Sequence, residues 1–515
     1  MSVGSFGQSE PQRLSLFING RRFIGFGGNW GFGESNLNYR EREYDIAVAY
    51  HADMNFTMIR NWVGQIGDKE FYEACARHGI MVWQDFWLAN PVDGPNPYYT
   101  EMFNANACDY LKRIRNHPSI GIYVGRNEGN PPAGIDDYLR GLVFREHPGL
   151  YYISNSAMGV VSGGGPYRAL SPKSYFQSYG HDKFHSERGM PNVMNYESML
   201  LTFGTDKIEP VNTSETPNPV YGLHDYTLGG GKGSSAQAAS SFNDMIEKAF
   251  GRPRDAKQFA EWAQWINYDG YRAIFEGRSE HRRGMLLWMS HSAWPSMVWQ
   301  TYDYYFDPNA AYFGCKKASE PLHIQWNPLR DDIEVVNYHA FDRTGLTATA
   351  SLFNQDGTLQ WTRETKLDIK EDQTVACFPL EQPETLSDTY FIKLSLTDSD
   401  GKQLSDNFYW RGKEDGNYKS LLQLPKVSVC KNVTVKKTGK EWLIRAVLKN
   451  EARTPALMLR LKVAGEKSGR MLLPVFYSDN YFSLLPGEVK EVDIRLYDAD
   501  TYGEKPVLEV LGFNL

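Results

Sequence analysis

Eight short apolar segments alternate with helical patterns along residues 24–290, and this alternation constrains the fold more than any other feature of the chain. The clearest segment is Ile120–Arg126, which ends abruptly in Asn127, Glu128 and a turn built from glycine and proline. A short apolar run bounded in this way is typical of a buried parallel strand. The other seven segments are 24–30, 56–62, 80–87, 150–154, 174–177, 184–186 and 284–290. Eight strands that alternate with helices predict a parallel (β/α)8 barrel.

Signals for a hairpin, a helix and a loop lie around these strands. Asn19–Gly20 separates two strand-like runs within Leu14–Phe23, and this dipeptide is the strongest short hairpin signal. After Asp68, apolar residues recur at helical spacing as far as Gly79, which is expected to end the helix. Residues 229–235 are rich in glycine and are expected to form a flexible loop.

Helical periodicity stops near residue 318. Beyond that point, alternating segments such as Tyr390–Leu396 and Trp442–Leu448 recur at the spacing of β-sandwich strands. The two all-β blocks have about 100 residues each, which is the size of an immunoglobulin-like sandwich. We therefore expect three domains: a barrel at residues 1–317 and two immunoglobulin-like β-sandwiches at 318–422 and 423–515.

Composition and charge exclude several classes of function. The net charge is −7 and no long basic run occurs, so nucleic acid is not an expected partner. No apolar run approaches the roughly 18 residues of a membrane-spanning helix, so no membrane association is expected. The five cysteines are far apart and indicate neither a disulfide framework nor a metal site, and no cofactor is expected.

The sequence constrains cellular location only weakly. The first seven residues lack the apolar core of a signal peptide. We expect a periplasmic or secreted protein if a signal lies upstream, and a cytoplasmic protein otherwise. The oligomeric state is left open.

Two glutamates occupy matching positions at strand ends. Glu128 follows Ile120–Arg126, and Glu187 follows the short run Phe184–Ser186 just before glycine and proline. In barrel enzymes the C-terminal ends of the strands hold the catalytic residues. A retaining glycosidase needs one carboxyl group to protonate the leaving oxygen and a second, about 5–5.5 Å away, to attack the anomeric carbon. We assign Glu128 as the acid/base and Glu187 as the nucleophile, although either glutamate taken alone fits a solvated cap or a salt bridge equally well.

Other polar side chains near the strand ends are candidates for substrate binding. Asn127 precedes the acid and is suited to donate a hydrogen bond to a sugar 2-hydroxyl. Arg60 would orient the nucleophile or lower its pKa, and Asp85 would bind a sugar hydroxyl; a structural pair between these two residues fits equally well. His185 is either a ligand contact or a hydrogen-bonded structural histidine.

Aromatic residues make up 14% of the chain, which is a high proportion. Aromatic rings stack against the apolar faces of sugars, and they also fill protein cores. The tryptophans that are candidates for sugar stacking, with a core position as the alternative for each, are Trp30, Trp87, Trp288 and Trp294.

Five segments together resemble glycoside hydrolase family 2. They are Trp83–Trp87, Tyr123–Gly129, Phe184–Gly189, Trp288–Gln300 and Ala311–Gln325. The last of them resembles the segment by which the chain leaves that family's barrel. The similarity covers nearly the whole chain, and the most similar branch contains the β-mannosidases, exo-β-glucosaminidases and endo-β-mannosidases.

The resemblance implies roles for three residues and also differs from the family in two respects. It implies that Glu128 is the acid/base, Glu187 the nucleophile and Asn127 the ligand of the 2-hydroxyl. Exo-glucosaminidases tend to have an aspartate at the acid/base position, so Glu128 disfavours that specificity. Family members also begin with a sugar-binding domain and an immunoglobulin-like domain, whereas here the hairpin Leu14–Phe23 stands almost at the N-terminus. We expect a truncated chain or a short homologue without these domains, the first of which can help to form the family's active-site pocket.

The expected function is that of a retaining β-glycosidase acting on terminal β-linked sugars, β-mannosides above all, with an oligosaccharide or glycoside as its substrate. One alternative is a sugar-binding fragment with impaired catalysis. Others are exo-β-glucosaminidase or β-galactosidase specificity, and sandwich domains that contact a partner or a polymeric substrate.

Overall fold

The computed structural model describes residues 2–3, 13–92, 94–177, 182–213, 215–224, 234–280 and 283–515. The chain divides into two compact units. The first consists of Met1–Tyr167, Ser178–Met190 and Ile274–Trp294, and the second of Arg168–Gln177, Pro191–Ala273 and Pro295–Leu515.

The hairpin predicted from the sequence is confirmed in the first unit. Strand β1 (Ser2–Val3) pairs with β2 (Leu16–Ile18), which pairs in turn with β3 (Arg21–Phe23), and both pairings are antiparallel. Asn19 and Gly20 have φ angles of 51° and 77°. Positive φ at both central residues is what a two-residue type I′ turn requires, which explains why Asn–Gly is found there.

An eight-stranded parallel sheet follows in the first unit. Its strands are β4 (Gly25–Trp30), β5 (Met58–Asn61), β6 (Met81–Asp85), β7 (Ile120–Arg126), β8 (Tyr151–Asn155), β9 (Val161–Ser162), β10 (Phe184–Arg188) and β11 (Gly284–Leu287). They pair in the order β8-β7-β6-β5-β4-β11-β10-β9. The helices between the first five of them are α1 (Glu41–Asp53), α2 (Lys69–His78), α3 (Thr100–Ile114) and α4 (Ala133–Glu146). This is the strand order of a (β/α)8 fold, so the predicted fold class is confirmed, and the C-terminal ends of the strands lie along one edge.

The sixth strand was predicted at the wrong place. Residues 174–177 belong to helix α5 (Pro172–Gln177), where the backbone N–H of Ser174 donates to the Ser171 hydroxyl at 3.3 Å. Serine before the helix and proline at its first position are helix-starting signals, and they override the strand-like composition. The strand found instead is β9, whose two residues are too few to show a periodic pattern.

Close backbone packing in the sheet depends on glycine in β4. A β-carbon added at Gly27 would collide with the carbonyl oxygen of Met58 on β5, so no side chain fits at this position. The buried residues that form the core cluster of this unit are Leu14, Leu16, Met58, Met81, Trp83, Ile122, Val124, Ile153, Val161, Phe184 and Leu286. The members come from the hairpin Leu14–Phe23 and from every parallel strand except β4, so seven of the eight strands contribute to one core.

The second unit contains helices and four antiparallel sheets. The further helices of the chain are α6 (Tyr196–Phe203), α7 (Pro219–Leu223), α8 (Ser234–Phe250), α9 (Ala256–Glu276) and α10 (Ala310–Ala318). Residues 229–233 of the expected glycine-rich loop lie outside the described residues, and α8 begins at Ser234.

The all-β part of the second unit consists of two pairs of sheets. The strands are β12 (Leu322–Asn327), β13 (Asp332–Asn337), β14 (Arg343–Asn354), β15 (Leu359–Ile369), β16 (Gln373–Pro379), β17 (Thr389–Thr397), β18 (Gln403–Gly412), β19 (Val429–Thr438), β20 (Glu441–Asn450), β21 (Ala456–Gly465), β22 (Val475–Tyr477), β23 (Phe482–Leu484), β24 (Val489–Tyr497) and β25 (Pro506–Leu511). The sheet orders are β12-β13-β16, β15-β14-β17-β18, β19-β20-β24-β22 and β23-β21-β25. These sheets confirm the predicted immunoglobulin-like sandwiches, whereas the exact domain limits remain predictions.

Alternation explains why these strands form sandwiches. In β14, Leu346, Ala348, Ala350 and Leu352 are buried at every second position and enter one core cluster. The residues between them are partly exposed, as expected for a sheet with one buried face. Within the described ranges, none of the helices combines the length and apolar character needed to span a bilayer.

Candidate active site

Glu128 and Glu187 lie at the C-terminal edge of the parallel sheet. Glu187 is within β10 and is 2% exposed, whereas Glu128 follows β7 and is half-buried. Glu128 has a φ of 48°, in the left-handed region, and its backbone N–H donates to the Ser156 hydroxyl at 3.0 Å. A non-glycine residue in this conformation is uncommon and is often found at functional sites.

Tyr167 connects the two glutamates. Its hydroxyl lies 2.7 Å from Oε2 of Glu187 and 3.4 Å from Oε1 of Glu128. Because both contacts meet at one hydroxyl oxygen, those two carboxylate oxygens lie within about 6 Å of each other, close to the spacing of a retaining pair and below that of an inverting pair. Burial, together with the charges of Glu187 and Glu128, raises the pKa of Tyr167, so this residue remains a protonated donor.

Arg60 is the cation that holds this group of side chains together. Its Nη1 donates to Oε1 of Glu187 at 2.6 Å, and its Nη2 donates to Oδ1 of Asn127 at 2.7 Å. Its Nη1 also donates to Oδ1 of Asn29 at 3.2 Å. The guanidinium is fully buried. Burial lowers the pKa of Arg60, but the charges of Asp85 and Glu187 more than offset it, so the pKa is raised and the cation persists.

Asp85 forms a buried ion pair with Arg60. Its carboxylate accepts from Nε and Nη2 of Arg60, with Nη2 at 2.7 Å from Oδ2. It also accepts from the indole N–H of Trp83 at 2.8 Å and the backbone N–H of Val63 at 3.0 Å. Asp85 is 0% exposed. This arrangement favours the structural Arg–Asp pair, the alternative interpretation of these two residues, over a contact between Asp85 and a sugar hydroxyl.

The environment of Glu187 places its ionisation near neutral pH. Burial, together with the nearby charge of Glu128, raises the pKa of Glu187 to about 7, against the opposing effects of Arg60 and of the Tyr167 hydrogen bond. The hydrogen bonds from Arg60 and Tyr167 favour the ionised form of this carboxylate, which is the form that can act as a nucleophile.

Asn127 has its side-chain oxygen fixed by two donors. Oδ1 accepts from Arg60 at 2.7 Å and from the Ser156 hydroxyl at 3.3 Å, and the residue is 3% exposed. With the oxygen held in this way, the amide N–H₂ is the group oriented to donate. Its backbone N–H donates to the carbonyl of Leu88 at 2.9 Å, which fixes the start of the loop that holds Glu128.

His185 has partners on both ring nitrogens. Nε2 lies 2.8 Å from the carbonyl oxygen of Gly165, and Nδ1 lies 2.8 Å from the Ser162 hydroxyl. The ring is 2% exposed. This favours the structural histidine over a ligand contact, and its bond to Gly165 helps to fix the glycine-rich segment that leads to Tyr167.

The four candidate tryptophans occupy different environments. Trp30 is 0% exposed, donates from its indole N–H to Nε2 of His51 at 3.0 Å and stacks on His291 with ring centroids 4.2 Å apart. This environment favours the core position, the alternative given for Trp30, over stacking against a sugar, because the ring has no exposed surface. Trp87 is half-buried, and its indole N–H donates to the carbonyl of Gly64 at 3.0 Å.

Trp288 and Trp294 differ from Trp30 because both have accessible surface. Trp288 is half-buried and packs edge-on against Tyr167, with centroids 6.4 Å apart, and against Trp62 at 4.9 Å. Trp288 therefore adjoins the side chain that touches both glutamates. Trp294 is 37% exposed.

Two residues of the site were missed by reasoning from sequence. Tyr167 lies in an irregular segment after Gly163–Gly165, where no periodic pattern marks its position. Trp62 directly follows Arg60 and Asn61 at a strand end, a position that could have identified it. Among the residues that the structure describes, no group of three histidine, cysteine, aspartate or glutamate side chains is arranged to hold a metal ion.

Comparisons with known proteins relate the chain to glycosidases. The family model described as "Exo-beta-D-glucosaminidase Ig-fold domain" matches residues 407–515. A mannosylglycoprotein endo-β-mannosidase from Lilium longiflorum is 26% identical over 96% of the chain and 63% of its own length. An exo-β-D-glucosaminidase from Streptomyces avermitilis is 28% identical over 96% of the chain and 60% of its own length. The chain thus spans less than two thirds of these relatives.

Solved structures share the fold. The crystal structure of the exo-chitosanase CsxA from Amycolatopsis orientalis superposes with a TM-score of 0.89 at 23% identity, over 100% of this chain and 65% of that chain. A β-D-mannosidase from Dictyoglomus thermophilum superposes with a TM-score of 0.78 at 20% identity, over 100% of this chain and 63% of that chain. The relatives are thus β-mannosidases and exo-β-D-glucosaminidases, which agrees with the resemblance to glycoside hydrolase family 2 that the motifs indicated.

Proposed function

We propose that the protein is a retaining β-glycosidase that hydrolyses terminal β-linked sugars, with β-mannosides as the preferred class. The observation that supports this most is the shared contact of Tyr167 with Glu128 and Glu187, which holds the two carboxylates at a separation suited to double displacement. By their names, two relatives of the chain are an endo-β-mannosidase and an exo-β-D-glucosaminidase, and this supports β-glycosidase activity.

The first step is glycosylation. Glu128 gives its proton to the glycosidic oxygen while a carboxylate oxygen of Glu187 attacks the anomeric carbon, so the aglycone leaves as an alcohol and a glycosyl ester forms. Arg60 and Tyr167 donate to Glu187, which orients the carboxylate and favours its ionised form. Asn127 donates to the 2-hydroxyl, the role that the family resemblance implies.

The second step is hydrolysis of the ester. Glu128, now a carboxylate, takes a proton from water, and the water oxygen attacks the anomeric carbon. The ester bond breaks, Glu187 leaves as a carboxylate and the sugar is released with its original β configuration. Because the Tyr167 hydroxyl lies within hydrogen-bond distance of both glutamates, we expect it to affect both steps.

The choice of sugar rests on two features. One relative acts on mannosylglycoproteins according to its name, and others are exo-β-D-glucosaminidases. Glu128 differs from the aspartate expected for the exo-glucosaminidases, and this favours a β-mannoside. A panel of aryl β-mannoside, β-glucosaminide, β-galactoside and β-glucuronide tests the choice, with fastest turnover expected for the mannoside.

Variants of the two glutamates test their roles. Glu187→Ala is expected to lower kcat/KM on the aryl glycoside by on the order of 10³-fold or more, whereas Glu146→Ala, on the far end of α4, should leave it unchanged. Sodium azide added to Glu187→Ala should restore aryl release and yield the α-glycosyl azide, because azide then attacks from the vacated side. In Glu128→Ala it should yield the β-glycosyl azide. Full activity of Glu187→Ala would reject the assignment.

The second candidate function is that of a sugar-binding fragment with impaired catalysis. It is favoured by the chain's spanning only 63% and 60% of the length of two relatives. Calorimetric binding of mannose or glucosamine without turnover of any aryl glycoside would favour it over the enzyme.

A further inference from the structure

Two adjacent tyrosines protrude from the loop that joins β6 to α3. Tyr98 is 88% exposed and Tyr99 is 71% exposed. Single exposed apolar side chains are common on protein surfaces, whereas two large aromatic side chains at adjacent positions of one loop place a larger apolar area in water. The mechanism above does not use either residue.

The loop is fixed against the strand that leads to the acid/base. Arg126, the last residue of β7, is 3% exposed. Its Nε donates to the carbonyl of Ala89 at 2.8 Å, its Nη1 to Oδ1 of Asn96 at 2.6 Å and its Nη2 to the carbonyl of Gly94 at 3.4 Å. A single buried guanidinium therefore holds three points of the loop. Since Asn96 is two residues from Tyr98, their α-carbons lie within about 7 Å of each other.

Further contacts join this loop to the segment around Glu128. The carbonyl of Leu88 accepts from the backbone N–H of Asn127 at 2.9 Å. Gly129, just after the acid/base, packs so closely on Pro91 that a β-carbon there would lie 3.0 Å from its ring. Tyr99 is the residue before α3, and its carbonyl accepts from the N–H of Phe103 at 3.0 Å. The two tyrosines are thus displayed by a backbone anchored at both ends.

The position beside Glu128 determines which part of a substrate reaches the loop. A general acid must contact the oxygen of the leaving group, so the aglycone lies on the side of Glu128 and not on the side of Glu187. A loop that packs on the Glu128 segment therefore borders the space into which the leaving group extends. A leaving group that reached two exposed tyrosine rings would need to be long and to have apolar faces and hydroxyls, as an oligosaccharide does.

We infer that Tyr98 and Tyr99 bind sugar units of an oligosaccharide aglycone, so that the natural substrate of the proposed glycosidase is a β-linked sugar chain and not a small glycoside. This inference rests on the proposed function for the placement of the aglycone. Each pyranose face that covers a tyrosine ring removes apolar surface from water, which corresponds to on the order of tenfold in affinity per ring.

Kinetics on a long and a short substrate test the inference. The probes are β-1,4-mannotetraose and 4-nitrophenyl β-mannoside, or the chitosan tetramer and the aryl glucosaminide if the panel selects that sugar. Tyr98→Ala/Tyr99→Ala is expected to lower kcat/KM on the tetrasaccharide by about 10-fold to 100-fold and to leave the aryl glycoside unchanged. Phe144→Ala is the matched control, since Phe144 is 79% exposed near the C-terminal end of α4. It should change neither substrate.

A binding measurement separates failure of this inference from failure of the proposed function. Glu187→Gln should bind the tetrasaccharide, and adding the double alanine substitution should weaken calorimetric binding by the same factor, whether or not the wild type turns over any substrate. Tyr98→Phe/Tyr99→Phe, which keeps both rings, should restore most of the affinity. Equal binding and equal kcat/KM for the double alanine variant and the wild type would overturn the inference, and so would an equal loss on both substrates.

Discussion

Removal of the Tyr167 hydroxyl tests how the site sets the ionisation of its nucleophile. In Tyr167→Phe, Glu187 loses the donor at 2.7 Å but keeps Arg60 at 2.6 Å. A hydrogen bond to a charged group contributes about 1.5–3 kcal/mol, and one pKa unit corresponds to about 1.4 kcal/mol. The pKa of Glu187, about 7 with the hydroxyl in place, should therefore rise by about one to two units.

The direction of the effect on rate follows from the sign of that shift. Only the ionised nucleophile attacks, so kcat/KM falls as pH drops below the pKa of Glu187 in the free enzyme. The acid limb of the kcat/KM profile for an aryl glycoside should lie near pH 7 in the wild type and should move upward by about one to two units in Tyr167→Phe. At pH 7 the wild-type carboxylate is about half ionised, so the variant should be slower by about 5-fold to 50-fold, with part of the loss recovered at higher pH.

A second tyrosine that donates to a carboxylate provides the control. Tyr152 also donates to a carboxylate, Asp136, at 2.7 Å, and it is 6% exposed. Tyr152→Phe removes a comparable hydrogen bond without touching either catalytic candidate, so its acid limb should stay in place. An unmoved or lowered acid limb in Tyr167→Phe would refute the reasoning, because the hydroxyl would then not favour the charged form of Glu187.

Four further substitutions test the framework of the site. Gly27→Ala should lower the free energy of unfolding by about 1–3 kcal/mol or more, whereas Gly134→Ala, where a β-carbon meets no atom within 4 Å, should not; urea denaturation measures both. Arg60→Met leaves two buried carboxylates without their cation and should cost about 3–5 kcal/mol in the same assay. Trp30→Ala should lower the free energy of unfolding by about 3–5 kcal/mol, because it empties a core position. Trp288→Ala should instead lower mainly kcat/KM. Equal effects of the two variants on kcat/KM would contradict the division into a core residue and a site residue.

The sequence predicted those parts of the fold that depend on local pattern. Each parallel strand of four or more residues was located, because buried strands begin as short apolar runs that end at turn residues. Val161–Ser162 was missed since two residues show no period, and residues 174–177 were assigned to a strand although serine and proline start a helix there.

The two glutamates were identified from their positions at strand ends, but the contacts that define their chemistry were not. Tyr167 reaches them from an irregular segment, and no local pattern reports that its hydroxyl meets both carboxylates. The alternatives for Asp85 and His185 depend on which atoms surround them in three dimensions, and in both cases the structure supplies partners from other strands or loops. The sequence pattern places a side chain at the C-terminal edge of the sheet, whereas packing between distant segments decides whether that side chain faces solvent or the core.

Trapping of the glycosyl ester tests the central claim most directly. The protein is incubated with a 2-deoxy-2-fluoro-β-mannosyl fluoride, in which the fluorine slows hydrolysis of the ester, and the labelled peptide is sequenced by mass spectrometry. The account predicts a single fluorosugar attached through the side chain of Glu187. A label on Glu128 or on any other residue, or turnover of the fluoride without a covalent adduct, would contradict it.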